Sequence, residues 1–244
     1  MRTGIKRSRP ERGISLIENL ISMTLFLFIV MGVLEVFSLS RNHFIEIKTS
    51  QEANTAAYSA LDKIRADLQQ CGGGYTELNL PGLVEPLSAE SNILILRKVE
   101  QRLSLVHALS AGQTRISLID TSNFKKGKEL YIADAVNGEI QTISSVESTG
   151  AVLSSPLKNS YKTEKSTLSL LNKICFYLDK RKKILRRKVN ASPAQPLCEE
   201  VDSFECSYSP DTNLVKIRLS LTLNPEKVYE ISVFPKNTAL YASR

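Results

Sequence analysis

The chain has 244 residues, 42% of them hydrophobic and 23% charged, with 32 lysines and arginines against 25 acids and a net charge of +7. That length suits one membrane segment with one or two modest units outside it. The basic balance does not mark a nucleic-acid-binding protein: the first 13 residues hold five bases and one acid, and the remaining 27 bases and 24 acids leave only +3. Arg2, Lys6, Arg7, Arg9 and Arg12 come first, followed by Gly13-Ile14-Ser15-Leu16-Ile17-Glu18 and then an uncharged run from Asn19 to Leu34. A charge within a membrane segment costs about 2.5–3.5 kcal/mol by insertion measurements, so Glu18 is expected to have a use. Cationic flanks stay on the cytoplasmic side, which predicts export of the body. An ordinary secretory signal needs a small-x-small site after its apolar core. Here only Ser38-Leu39-Ser40 offers a weak one.

Helical character is expected from Ile14 through Gln70. Its early part is apolar nearly all round, as suits lipid or a filament core. Beyond Arg41 the pattern turns amphipathic, with Ala53, Ala57, Leu61, Ile64 and Leu68 on one face at steps of three and four. Cys71-Gly72-Gly73-Gly74 should stop the helix, since glycine readily takes positive φ and loses entropy in a helix. The 57 residues from Ile14 to Gln70 would reach about 85 Å. One bilayer needs about 20 residues, so the second half must pack elsewhere. No proline stands between Pro10 and Pro81, which leaves Gly32 as the soft point.

From Ser91 onward the pattern is strand-like. Strands are expected at Asn92–Val99, Arg102–Leu109, Arg115–Asp120, Glu129–Ala133, Glu139–Val146 and Ala151–Leu153, divided by Gly112, Gly127, Gly138 and Gly150. This punctuation suggests a small β module of hairpins near 108–160. Further strands are expected at Lys173–Leu178, Ile184–Val189, Ser203–Tyr208, Leu214–Leu223 and Val228–Phe234. Val215, Ile217, Leu219, Leu221 and Leu223 alternate with Lys216, Arg218, Ser220 and Thr222, the signature of a sheet with one face buried. The amphipathic half of the long helix is the natural cover for that face. The fold class is therefore α+β, a long N-terminal helix with its distal half laid on antiparallel sheet.

The segment Gly13-Ile14-Ser15-Leu16-Ile17-Glu18 with its apolar helix resembles the prepilin family, the precursors of type IV pilins and type II secretion pseudopilins. In that family a membrane-embedded aspartyl peptidase cuts after the glycine and the new amine is methylated. The resemblance thus implies cleavage between Gly13 and Ile14 and N-methylation of Ile14, where the family usually has Phe. It also implies that Glu18 pairs with a neighbouring subunit's N-terminal amine, which offsets the cost of burying either charge alone. Ala60-Leu61-Asp62-Lys63-Ile64-Arg65-Ala66-Asp67-Leu68 before the glycine break is similar to PilW-type minor pilins and J-type pseudopilins. Looser likeness lies in Phe176-Tyr177-Leu178-Asp179 and Pro196-Leu197-Cys198-Glu199-Glu200-Val201. The implied organisation is a leader (1–13), a transmembrane and assembly helix (14–40), its amphipathic half (41–74) and a β-rich domain (75–244).

Four cysteines, Cys71, Cys175, Cys198 and Cys206, form no Cys-x-x-Cys pair, and the two histidines, His43 and His107, are distant in sequence, which argues against zinc. In an exported chain the even count favours at least one disulfide, with three pairings open and free buried thiols the alternative. No Gly-x-Ser-x-Gly, phosphate loop or calcium loop occurs, so neither catalysis nor a cofactor or metal is expected. Lys180, Arg181, Lys182, Lys183, Arg186, Arg187 and Lys188 are seven bases in nine residues. They read first as a solvated hairpin tip and second as a contact for DNA, lipid headgroups or acidic polymers. No aromatic platform interleaves the run, which weighs against DNA. The expected role is that of a minor pilin in a type IV pilus. Its partners would be other major and minor pilins, the prepilin peptidase/methyltransferase and the inner membrane, with the body periplasmic before assembly and at the cell surface after it. A secretion pseudopilin, a pilus-borne adhesin or DNA-uptake subunit, and a single-pass protein that never polymerises are the alternatives.

Overall fold

The structure, a computed structural model, describes residues 16–78 and 81–242. Gly13 and Ile14 lie outside them. With no proline to remove a donor, the apolar run and the amphipathic stretch form one helix, α1 (Leu16–Gln70), unbroken at Gly32. The chain divides between Glu52 and Ala53 into two units. Up to Glu52, α1 buries none of its residues. From Ala53 it belongs to a compact body, where Ala57, Ala60, Leu61, Ile64, Asp67 and Leu68 are its buried face.

The helix stops where the glycines predict, and they do more than stop it. Gly72 N–H donates to Arg97 O and Val99 N–H donates to Gly73 O, each at 2.9 Å, so the turn is stitched to a strand edge. Gly74 has φ +79°, and a Cβ there would stand 2.8 Å from Val99 Cβ. Only glycine fits both conditions.

Beyond the turn the described residues make twelve strands. They are β1 (Leu87–Glu90), β2 (Ile93–Ser104), β3 (Arg115–Ser117), β4 (Glu129–Ala133), β5 (Gly138–Glu147), β6 (Gly150–Leu153), β7 (Thr167–Asp179), β8 (Ile184–Val189), β9 (Gln195–Cys198), β10 (Val201–Ser209), β11 (Leu214–Leu221) and β12 (Asn224–Val233), before a short helix α2 (Lys236–Ala242). Nine strands join one sheet in the order β1-β2-β7-β4-β5-β6-β3, with β8 beside β7 and β9 beside β8; β10-β11-β12 form a second sheet. The 13-residue β7 is the hinge of this arrangement. Its first half pairs with β4 and its second with β8, while β2 runs along its other side. The architecture is thus α+β with a long N-terminal helix.

Three apolar clusters result. The first gathers the buried face of α1 with Leu94, Leu96, Ile174, Phe176 and Leu185 of the large sheet and Phe204, Val215, Ile217, Leu219, Leu221, Ile231 and Val233 of the small one. Each such side chain contributes about 1.5–3 kcal/mol relative to exposure. The second collects Leu105, Leu109, Ile116, Phe124, Leu130, Ile132, Ile143, Leu153, Leu157, Tyr161, Leu168 and Leu170 around β3–β6. The third joins Tyr75, Leu78 and Val84 to Tyr131, Ala133 and Leu171.

Several sequence expectations need correction. No separate strand runs from Arg102 to Leu109. β2 continues to Ser104 through a bulge between Val99 and Gln101, and only a single bridge, Leu109 to Tyr161, follows. β11 ends at Leu221, so Leu223 falls in the turn to β12 and is 56% exposed. β1, β9 and α2 carry too little pattern to be read in advance. α2 is held instead by Asn213: Thr238 Oγ1 and Tyr208 OH donate to its Oδ1 at 2.8 and 3.0 Å, and its Nδ2 donates to Pro235 O at 3.0 Å.

Candidate functional site

Glu18 lies in the first turn of α1, where a carboxylate is favoured by the helix dipole. Around and after it, the large apolar side chains from Leu16 to Leu39, the half-buried Val30 excepted, are 55–80% exposed on every side of the helix. Leu16 to Leu34 is 19 residues with Glu18 as its one charge, about 28 Å of helix against a hydrocarbon core of about 30 Å. The segment is long and apolar enough to cross a membrane. Its one threonine turns inward, Thr24 Oγ1 donating to Leu20 O at 2.7 Å, as Thr49 Oγ1 does to Ile45 O at 2.9 Å in the charged part of the helix. After Leu34 charge returns with Glu35, Arg41, Glu46, Lys48 and Glu52. The pairs His43–Glu46 (3.9 Å) and Lys48–Glu52 (3.8 Å) are exposed and weak.

The basic run divides once it is folded. Lys180–Lys183 form the exposed turn between β7 and β8. Strand alternation then sends Arg186 and Arg187 to opposite faces. Desolvation would raise the Asp179 pKa, but Arg186 Nε, donating to its Oδ2 at 3.1 Å, and the Lys182 N–H, donating to its Oδ1 at 3.3 Å, outweigh it and hold the carboxyl below its usual range. Arg187 Nε donates to Asp67 Oδ2 at 2.7 Å, and Lys63 Nζ stands 3.5 Å from the other oxygen. Asp67 is 6% exposed and sits on the buried face of α1. This ion pair therefore fastens the helix to β8. Lys183 approaches Asp202 at 4.0 Å. Lys180, Arg181, Lys182 and Lys188 remain exposed. Tyr177 lies opposite Arg186 in register, an aromatic neighbour that the linear run hides. The spacing of seven from Ala60 places Asp67 on the apolar face, but its anchoring role is not visible in the sequence, because Arg187 is 120 positions away.

The disulfide expected of the even cysteine count does not form. Cys71, Cys175, Cys198 and Cys206 are free thiols. Three of them turn to main-chain carbonyls in their own surroundings: Cys71 Sγ to Pro86 O at 2.9 Å, Cys206 Sγ to Ile93 O at 3.2 Å and Cys198 Sγ to Glu199 O at 3.5 Å. Burial pushes the Cys71 thiol up to about 12 and Cys206 to about 11, so neither is a ready nucleophile. Cys206 also lines an open cleft of about 350 Å³ with Ser91, Glu205, Ser207, Lys216 and Arg218. Arg218 is already bonded to Glu230 at 2.7 Å, and the cleft's charges offset one another.

No protein-family model matches the chain, and no curated protein matches it. Among solved structures it is similar to the Gp54 tailspike of Acinetobacter baumannii bacteriophage AP22, solved in complex with A. baumannii capsular saccharide. The identity is 16%, the match covers 34% of this chain and 14% of the tailspike, and the TM-score is 0.25. A likeness of that size carries no argument about fold or function.

Proposed function

We propose that this chain is a minor pilin, a membrane-anchored subunit that joins a type IV pilus through its N-terminal helix after cleavage between Gly13 and Ile14. One observation carries the reading: a helix whose apolar side chains, Val30 apart, stay uncovered on every side from Leu16 to Leu39, with a carboxylate at its first turn. So large an apolar surface is not stable in water and calls for lipid, protein or both in succession. A carboxylate in lipid is expensive, and the new amine of an adjacent subunit would offset the charge of Glu18. The distal half of α1 needs no such cover, because the sheets supply it.

The test is mass spectrometry of the mature N-terminus together with the Glu18→Ala variant. The expected mature chain begins at N-methylated Ile14. Glu18→Ala should be cleaved normally yet enter sheared filaments at a small fraction of the wild-type level. A chain that still begins at Met1 in cells with an active prepilin peptidase, or undiminished incorporation of the variant, overturns the proposal.

A further inference from the structure

Two loop segments, 109–113 and 154–161, are tied to each other by their main chains. Leu109 and Tyr161 exchange both amide hydrogen bonds at 2.9 and 2.8 Å, Gly112 N–H donates to Leu157 O at 2.8 Å, and Leu157 N–H to Gln113 O at 2.9 Å. The ribbon they form covers the second apolar cluster, into which Leu109, Leu157 and Tyr161 are inserted. Apart from Ser154 N–H, which donates to Thr142 O at 2.8 Å where the segment leaves β6, its attachment to β5 is made through side chains. The Glu139 carboxylate, 7% exposed, accepts from Lys158 N–H at 3.1 Å, Asn159 N–H at 3.2 Å, Tyr161 OH at 3.0 Å and Gln141 Nε2 at 2.6 Å. Gln141 Oε1 in turn accepts from Ser155 Oγ at 2.7 Å. Desolvation alone would raise the Glu139 pKa, but these donors outweigh it and hold the carboxyl below its ordinary range.

We propose that this ribbon is a lid over the second apolar cluster, latched by the Glu139 carboxylate, and that it opens as a unit while the helix-packed first cluster stays closed. Two of the latch donors are main-chain amides that would be left without an acceptor if the carboxylate were lost, and buried orphan donors are costly. Once off β5, a two-segment ribbon is marginal by itself, so its own bonds should fail with the latch. The first cluster draws on three separate elements (α1 and both sheets) and shares none of these groups.

Hydrogen exchange on the full chain in detergent micelles tests this. In Glu139→Gln the amides of Gly112, Leu157 and Tyr161 should exchange roughly 10–100-fold faster, the equivalent of losing one hydrogen bond to a charged group. Those of Ile217 and Leu219 in β11 should keep their wild-type rates. Unchanged exchange in the ribbon overturns the latch, and equal acceleration in β11 overturns the independent lid. Should Glu139→Gln fail to accumulate, Tyr161→Phe removes a single latch donor, and a smaller acceleration confined to the ribbon is required of it.

Discussion

Along α1, the residues from Leu16 to Leu39 and those from Ala53 to Leu68 share one backbone geometry and differ in what surrounds them. In the first stretch the large apolar side chains other than Val30 are 55–80% exposed, whereas Ala57, Ala60, Ile64 and Leu68 in the second are at 0%. Helix formation itself is indifferent to this contrast, since its hydrogen bonds close within the segment. What changes is the distribution of apolar side chains, all round in one case and along one stripe in the other. The striped half states where its partner must lie, and two sheets meet it there. The all-round half states only that water is the wrong surrounding.

The sharpest way to break the striped half is through its charge rather than its hydrocarbon. Arg187→Ala would leave Asp67 buried with only Lys63, 3.5 Å away and itself about half exposed. Breaking a buried pair from one side costs about 3–5 kcal/mol, so the chemical-denaturation midpoint of the full chain should fall steeply. Lys182→Ala, five residues away in the same basic run, should change stability by about 0.5 kcal/mol or less, as exposed substitutions do. Equal effects would mean that folding does not divide the run into anchor and tip.

Next in size is the direct comparison of the two halves. Ile64→Ala removes a side chain at 0% exposure and should destabilise by roughly 2–5 kcal/mol. Ile29→Ala removes the same atoms from a position 65% exposed and should leave unfolding of the body within about 0.5 kcal/mol of wild type. Its effect belongs in membrane partition instead, at about 0.8 kcal/mol for each buried carbon lost. Denaturant titration and detergent-phase partition of the same two variants separate these outcomes.

Much of this contrast was legible in the residues. Ala53, Ala57, Leu61, Ile64 and Leu68 needed only helical spacing to identify the buried face, and the alternation of Val215 to Leu221 needed only period two. The rest depended on long-range pairing. Thr167 to Leu171 of β7 has no alternation to read, because Leu168, Leu170 and Leu171 are all buried where β4 and β2 flank the strand. β9 contains Pro196 and four residues in all, an edge strand by position and not by pattern. The candidate site divides in the same way. Glu18 stands out in an apolar run, while the partnership of Asp67 with Arg187, 120 positions apart, exists only after folding.

The smallest expected effect concerns an anchor on the far side of the sheet from α1's charge. Glu129 on β4 accepts from Arg97 Nε of β2 at 2.9 Å and from Lys173 Nζ of β7 at 2.7 Å, tying three adjacent strands. Desolvation would raise its pKa, but the hydrogen bonds from Lys173 and Arg97 and their charges outweigh it, so the carboxyl is held below its ordinary value of 4.5. A group whose folded pKa is depressed adds stability that is complete above its unfolded pKa and is lost as pH falls through the folded one. Melting temperatures of the wild type and Glu129→Gln, followed from pH 7 downward, should therefore differ by a constant amount above about pH 4.5 and converge below it. The convergence needs no change in the helix, because Glu129 touches strands alone. If the two curves stay parallel into acid, the three-strand tie contributes through shape and not through charge.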